Sequence, residues 1–195
     1  MSNLLSQFAR QKYVKRWNGR KTLSEFNLLE HTARVAFISR ELMRVAANNG
    51  CTLDSDTKVE VLSYALLHDV SEVILGDVAS PTKARFSKLD KLMKKLEVEV
   101  MQPFEVHPIG PLVKYICKLA DIVDCFYEAL EEVSLGQLSK EFALVVDEVE
   151  VQLDKAKKKY TKEGVSEAVL KAFHSVAVDF VGALKGECDY DDVPF

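Results

Sequence analysis

The stretch Tyr64-Ala65-Leu66-Leu67-His68-Asp69-Val70-Ser71-Glu72 places three groups able to bind a metal or move a proton, His68, Asp69 and Glu72, inside an otherwise apolar run. Such side chains are expensive to bury without partners. In an α-helix His68 and Glu72 are i,i+4 neighbours and Asp69 and Glu72 are i,i+3 neighbours, so all three converge on one patch. His68 and Asp69 diverge by roughly 100° about the helix axis. One ion therefore touches both only from the angle between them, near a bend or a helix end. Gly76-Asp77-Val78-Ala79-Ser80-Pro81 supplies an end nearby, because it reads as a helix stop followed by a turn.

Outward from this stretch the apolar spacing is helical in both directions. Val59, Leu62, Ala65 and Leu66 predict a helix that starts near Asp54 to Asp56 and carries His68-Asp69 toward the core. Upstream, Leu4, Leu5, Phe8, Tyr13 and Val14 predict a first helix that ends near Arg16-Trp17 and is broken by Asn18-Gly19. Asn27-Leu28-Leu29-Glu30 fits a capping box that opens a helix to about Asn48, with Val35, Ile38, Leu42 and Val45 on its buried stripe. Downstream, Phe86, Leu89, Leu92, Met93, Leu96 and Val100 repeat at three and four until Gln102-Pro103.

Pro111 suits the first position of the next helix, whose apolar face from Val113 to Leu130 has Asp121 and Asp124 on or beside it. Ser134-Leu135-Gly136 ends it. Two further helices, about 139–160 and 166–184, are separated by Gly164. No internal repeat, period-two strand run or interdomain linker is visible, so the reading is all-α: one compact helical domain over 1–184 and an acidic tail over 185–195.

At 195 residues the chain fits one domain with a sizeable core, and 48% hydrophobic with 29% charged residues is the composition of a soluble globular protein. No apolar run approaches the roughly 20 residues of a membrane span, and the first residues lack a signal peptide's pattern, so a cytoplasmic location is expected. Cys51, Cys117, Cys125 and Cys188 have no metal-ribbon spacing and read as reduced thiols. A net charge of −4 argues against direct nucleic-acid binding, and an anionic substrate would need a local basic patch or a metal.

Two further ligands are available on other predicted helices, His31 in Leu29-Glu30-His31-Thr32 and Asp121 in Lys118-Leu119-Ala120-Asp121. Taken alone, His31 reads more readily as a hydrogen-bonded core or surface histidine than as a ligand, and Asp69 or Asp121 reads also as a buried salt-bridge partner. Asp124, three residues beyond Asp121, competes with it for the same role. The ordered set His31, His68-Asp69, Asp121 resembles the signature of HD-domain phosphohydrolases. Arg16-Trp17 ahead of His31, then His-Asp-x-x-Glu, then Gly-Asp-x-x-x-Pro, is similar to the bacterial 5'-deoxynucleotidases of that superfamily over roughly residues 10–132.

That resemblance implies an HD-domain helical bundle and one divalent metal ion held by His31, His68, Asp69 and Asp121. The mixed imidazole and carboxylate set suits Co, Mn, Mg, Fe or Zn without separating them. Glu72 is then the candidate for positioning or deprotonating water, with Asp77 as its rival or as the group that protonates the leaving ribose oxygen. Arg16 would orient phosphate, Lys83 and Lys118 would assist, Trp17 would stack on the base or sit in the core, and Asp77-Val78-Ala79-Ser80 would contact the nucleoside. The chain departs from its relatives at Ala79 and Leu29, where Thr or Ser is more frequent, which bears on substrate preference. The related enzymes are dimers or larger, so a homo-oligomer is implied.

Three functions follow from this reading. The first is a 5'-deoxynucleotidase converting deoxynucleoside monophosphates to deoxynucleoside and phosphate. A dNTP triphosphohydrolase of the phage dATP type, releasing tripolyphosphate, is the rival on the same scaffold. The third is a non-catalytic helical module docking through its tail. Asp191-Asp192-Val193-Pro194-Phe195 resembles the acidic tip of bacterial single-stranded DNA-binding proteins, which implies contact with replication proteins; the alternative is a solvated tail.

Overall fold

The computed structural model describes residues 2–76, 85–101, 109–137 and 139–187. Among the described residues the regular elements are helices, with one isolated antiparallel bridge between Lys15 and Asn27. They are α1 Ser2–Arg10, a 3-10 turn Gln11–Tyr13, α2 Leu28–Asn48, α3 Ser55–Leu67, α4 Glu72–Leu75, α5 Ser87–Met101, α6 Pro111–Ser134, α7 Lys140–Lys162 and α8 Glu167–Glu187. Asp77, Val78, Ala79, Ser80 and Lys83, and the proposed docking residues Asp191 to Phe195, lie outside the described residues.

Local chemistry explains the boundaries. The Asn27 side chain accepts the Glu30 N–H at 3.0 Å and opens α2, while Asp54 accepts the Thr57 N–H at 2.8 Å and opens α3. Pro111 starts α6, where its missing N–H has no partner to lose. Helix α6 is apolar around most of its circumference and packs against α2, α3, α7 and α8, as a central helix must.

Its fully buried Tyr115, Ile116, Leu119, Phe126 and Leu130 meet Leu42 of α2, Phe142 and Leu153 of α7, and Leu170 and Phe173 of α8 in one core. Tyr115 closes its own polar account by donating its hydroxyl to the Leu170 carbonyl at 3.0 Å. Phe126→Ala would leave a cavity in this core. Its unfolding free energy should fall by about 3–5 kcal/mol, read as a lower urea midpoint at unchanged slope.

Helix α3 turns inward a face that overlaps the predicted one at Ala65 and Leu62 but is rotated away from Val59. Val59 is 64% exposed, whereas Val61 and Ala65 are buried. The buried residues of the helix are Val61 and Ala65, at i and i+4, and His68 follows on the same side just beyond its end. Of the stripe expected around α5, Met93 is buried, Leu89 and Leu96 are half-buried, and Leu92 and Phe86, which precedes the helix, are exposed.

Candidate active site

Helix α3 stops at Leu67, so His68 and Asp69 occupy the break between α3 and α4 rather than the body of a helix that ends at Gly76. Across the break the backbone tightens to i→i+3 bonds, Val70 N–H to Leu67 O at 3.0 Å and Glu72 N–H to Asp69 O at 2.9 Å. A continuing α-helix would bond the Ala65 carbonyl to the Asp69 N–H. Here the imidazole Nδ1 of His68 donates to that carbonyl at 2.7 Å. The helix end thus fixes the His68 ring, and in the neutral ring the lone pair lies on Nε2.

His31, fully buried on α2, is fixed in the same way by a different partner. Its Nδ1 lies 2.6 Å from Asp124 Oδ2 of α6. Among the described residues the Nε2 atoms of His31 and His68 are both buried and have no hydrogen-bond partner. The two rings lie with centroids 5.3 Å apart. Asp69 Oδ2 stands 3.5 Å from His31 Nε2 and 3.3 Å from His68 Nε2, and Asp121 Oδ1 is 3.5 Å from His31 Nε2.

His31, His68 and Asp69 each bring a ligand atom within 4.8 Å of the others, close enough to share one ion, whereas Asp121 approaches His31 but falls outside that group. Desolvation opposes charge on Asp69, but the His68 and His31 imidazoles hold its carboxyl well below the usual range. Burial likewise opposes charge on His31, yet the hydrogen bond its Nδ1 makes to the Asp124 carboxylate and the nearby negative charge of Asp69 lift its pKa to about 9. The pocket therefore demands positive charge at Nε2, which a proton or a metal ion can supply. The donor set and the two orphaned nitrogens fit a divalent cation.

Asp121 is also a partner of Lys118, whose Nζ lies 2.5 Å from Asp121 Oδ2. Lys118, expected to help bind substrate, is engaged in orienting a carboxylate of the site. Glu72 opens α4, is buried, and has its backbone tied to that of Asp69. Arg16 reaches the site from the segment before α2. Burial disfavours its charge, while Glu128 and Asp121 reverse that and hold it above its ordinary range.

The sequence model of YfbR-like 5'-deoxynucleotidases matches residues 3–107 of this chain. The 5'-deoxynucleotidase VP0926 of Vibrio parahaemolyticus is 30% identical over 173 residues, 80% of this chain and 87% of that protein. The chain belongs to the YfbR-like 5'-deoxynucleotidase family. Two solved structures resemble its fold at 18% identity. The cyanophage S-2L HD phosphohydrolase DatZ, bound to dA and one catalytic Zn2+ ion, has a TM-score of 0.69 and covers 91% of this chain and 96% of its own. An HD-domain phosphohydrolase of Listeria innocua, lin2634, has a TM-score of 0.67 and covers 95% and 98%.

The sequence of this YfbR-like chain offered four candidate ligands, of which His31, His68 and Asp69 fall in one group, but not the residues that support them. Asp124, read as a competitor of Asp121 for an ion, serves the opposite nitrogen of His31. Its carboxylate also takes the Arg34 guanidinium, at 2.5 Å from Nε and 3.3 Å from Nη2. Glu128, four residues on, receives Arg34 Nη2 at 2.5 Å, Arg16 Nε at 3.0 and 3.1 Å, and Trp17 Nε1 at 2.9 Å. Glu132, four further, receives the backbone N–H groups of Leu23 and Ser24.

All three acids are fully buried. Their spacing of four in an apolar helix was the available signal, since buried carboxylates there require partners. His31, Asp124 and Glu128 also form a compact acidic group. Arg34 and Arg16 already neutralise it, so it is an ion-pair network and not a second metal centre.

Trp17 lies on this network with its ring 4.7 Å from Phe142. It has φ 57°, the one positive φ outside glycine among the described residues. For a bulky side chain that conformation costs about 1–3 kcal/mol and persists only where surroundings impose it. Asp124→Asn would weaken the hold on His31 Nδ1. Metal affinity, read by competition with a chromogenic chelator, should fall about 10- to 100-fold.

Proposed function

We propose that this chain is a metal-dependent 5'-deoxynucleotidase that hydrolyses 2'-deoxynucleoside 5'-monophosphates. The observation that carries the reading is the pair of buried, unpartnered Nε2 atoms of His31 and His68 facing the carboxylates of Asp69 and Asp121. In a YfbR-like chain these four residues would hold one divalent ion, with Co, Mn, Mg, Fe and Zn all compatible. When bound, such an ion supplies Lewis acidity toward phosphorus and lowers the pKa of water.

The chain's own groups do the rest. Arg16 grips phosphate oxygens through its guanidinium fork and offsets their charge. Glu72, buried and tied through its backbone to Asp69, accepts the proton of the attacking water. As the new P–O bond forms and the bond to the ribose 5'-oxygen breaks, Asp77 protonates the departing oxygen. Asp77 to Ser80 and Lys83 complete the nucleoside and phosphate contacts in this reading. The enzyme is proposed to act in the cytoplasm as a homo-oligomer. No described helix is long and apolar enough to cross a membrane.

Hydrolysis of dNMPs, NMPs and dNTPs with each of Co, Mn, Mg and Zn, followed by chromatography of the products, tests the proposal. Deoxynucleoside and orthophosphate from dNMPs alone are expected. Tripolyphosphate from a dNTP would reassign the chain to the triphosphohydrolase alternative, and no turnover with any metal would refute hydrolysis.

A further inference from the structure

We infer that Glu128 is a positioning residue for phosphate, holding the Arg16-Trp17 turn beside the cation site and tying it through Arg34 and Asp124 to the His31 imidazole. The inference rests on the assignment of Arg16 to phosphate above. Glu128 is a fully buried carboxylate that gathers donors from two segments distant in sequence, Arg16 and Trp17 ahead of α2 and Arg34 within it. Both of its bonds to Arg16 engage Nε. The terminal Nη groups, the fork that grips an oxyanion, are left out of this clamp.

The turn it holds is strained at Trp17, and its backbone is closed by Arg16 N–H to Phe26 O at 3.0 Å and Arg20 N–H to Trp17 O at 2.9 Å. The Arg16 Nε and Trp17 indole bonds to Glu128 fix the side chains of that turn to α6. Along His31, Asp124, Arg34, Glu128 and Arg16 each acid lies between two donors. A displacement of the arginine therefore carries to the imidazole through charge-assisted bonds, and misplacing a substrate-aligning group by about 1 Å costs as much as 10²-fold in rate.

Glu132 provides the internal contrast. It sits on the same buried face and holds the same segment, but through the backbone of Leu23 and Ser24, away from Arg16. Trp17 is the sole tryptophan of the chain, so its emission reports on this turn directly.

The test is a titration of metal-loaded wild type, Glu128→Gln and Glu132→Gln with inorganic phosphate, followed by tryptophan emission, together with melting curves, metal content and steady-state kinetics on a dNMP. Glu128→Gln should bind phosphate at least tenfold more weakly and lose 10- to 100-fold in kcat/KM while keeping its metal. Glu132→Gln should melt lower yet bind phosphate within twofold of wild type. Arg34→Lys, at a residue bonded to Asp124 and Glu128 and assigned no substrate contact above, should weaken phosphate at least threefold, and it decides the matter if Glu128→Gln does not fold.

Unaltered phosphate binding in Glu128→Gln, or in Arg34→Lys where that variant decides, overturns the inference. So does an equal loss in Glu132→Gln, or a wild type that does not bind phosphate. A wild type that binds phosphate but hydrolyses no dNMP refutes the deoxynucleotidase reading alone, and the Glu128 comparison still stands on the binding data.

Discussion

Asp69→Ala is expected to lose the bound metal and, with it, at least about three orders of magnitude in turnover, since Lewis-acid stabilisation of this kind supplies several kcal/mol. The reason is geometric. Asp69 Oδ2 stands 3.5 Å from His31 Nε2 and 3.3 Å from His68 Nε2, so its charge serves both imidazoles at once. Removing it leaves two neutral donors and Asp121, whose charge is already shared with Lys118. Metal content by mass spectrometry and circular dichroism separate loss of the ion from loss of the fold. Chelated wild type should match the variant's rate and recover on adding a divalent ion, whereas the variant should not. Saturating metal should also raise the melting temperature of wild type, by about 2.7 kcal/mol of added stability at a hundredfold excess over Kd, and leave Asp69→Ala unmoved.

Glu72→Ala should behave in the opposite way, keeping metal and nucleotide and losing turnover by about 10²- to 10⁴-fold, the range for a general base. Glu72 begins α4 just past the tight turn that carries His68 and Asp69, and its N–H is bonded to the Asp69 carbonyl. Its place relative to the cation site is therefore set by the backbone, and truncating its side chain should disturb neither ligand. Isothermal titration with a dNMP and a metal assay would establish retention, and the loss should fall in kcat with KM little changed. Full activity in Glu72→Ala would remove its assigned role.

The bounds of helix α2 were legible, because the Asn27 cap is a local signal and the structure starts it there and ends it at Asn48; of its expected stripe Val35 and Leu42 are buried and Ile38 and Val45 half-buried. The α3 face was not. Val59 and Val61 are equally apolar, and which of them is buried depends on the direction His68 must take toward α2 and α6. The break at Leu67 was also hidden, since the sequence there stays apolar and helical in period. It becomes intelligible only once the His68 ring is seen capping the Ala65 carbonyl.

By itself, the sequence determined the all-α class, the order of the principal helices and the candidate set His31, His68, Asp69, Asp121, Glu72 and Arg16, because caps, periods and motif order are written locally in the chain. Tertiary structure alone decided that Asp124 serves His31 rather than an ion, that Lys118 is spent on Asp121, and that Glu128 joins Arg16, Trp17 and Arg34. The physical reason is that a buried carboxylate must find its donors wherever packing brings them. For Glu128 those donors lie 94 to 112 residues away along the chain, beyond the reach of any local pattern.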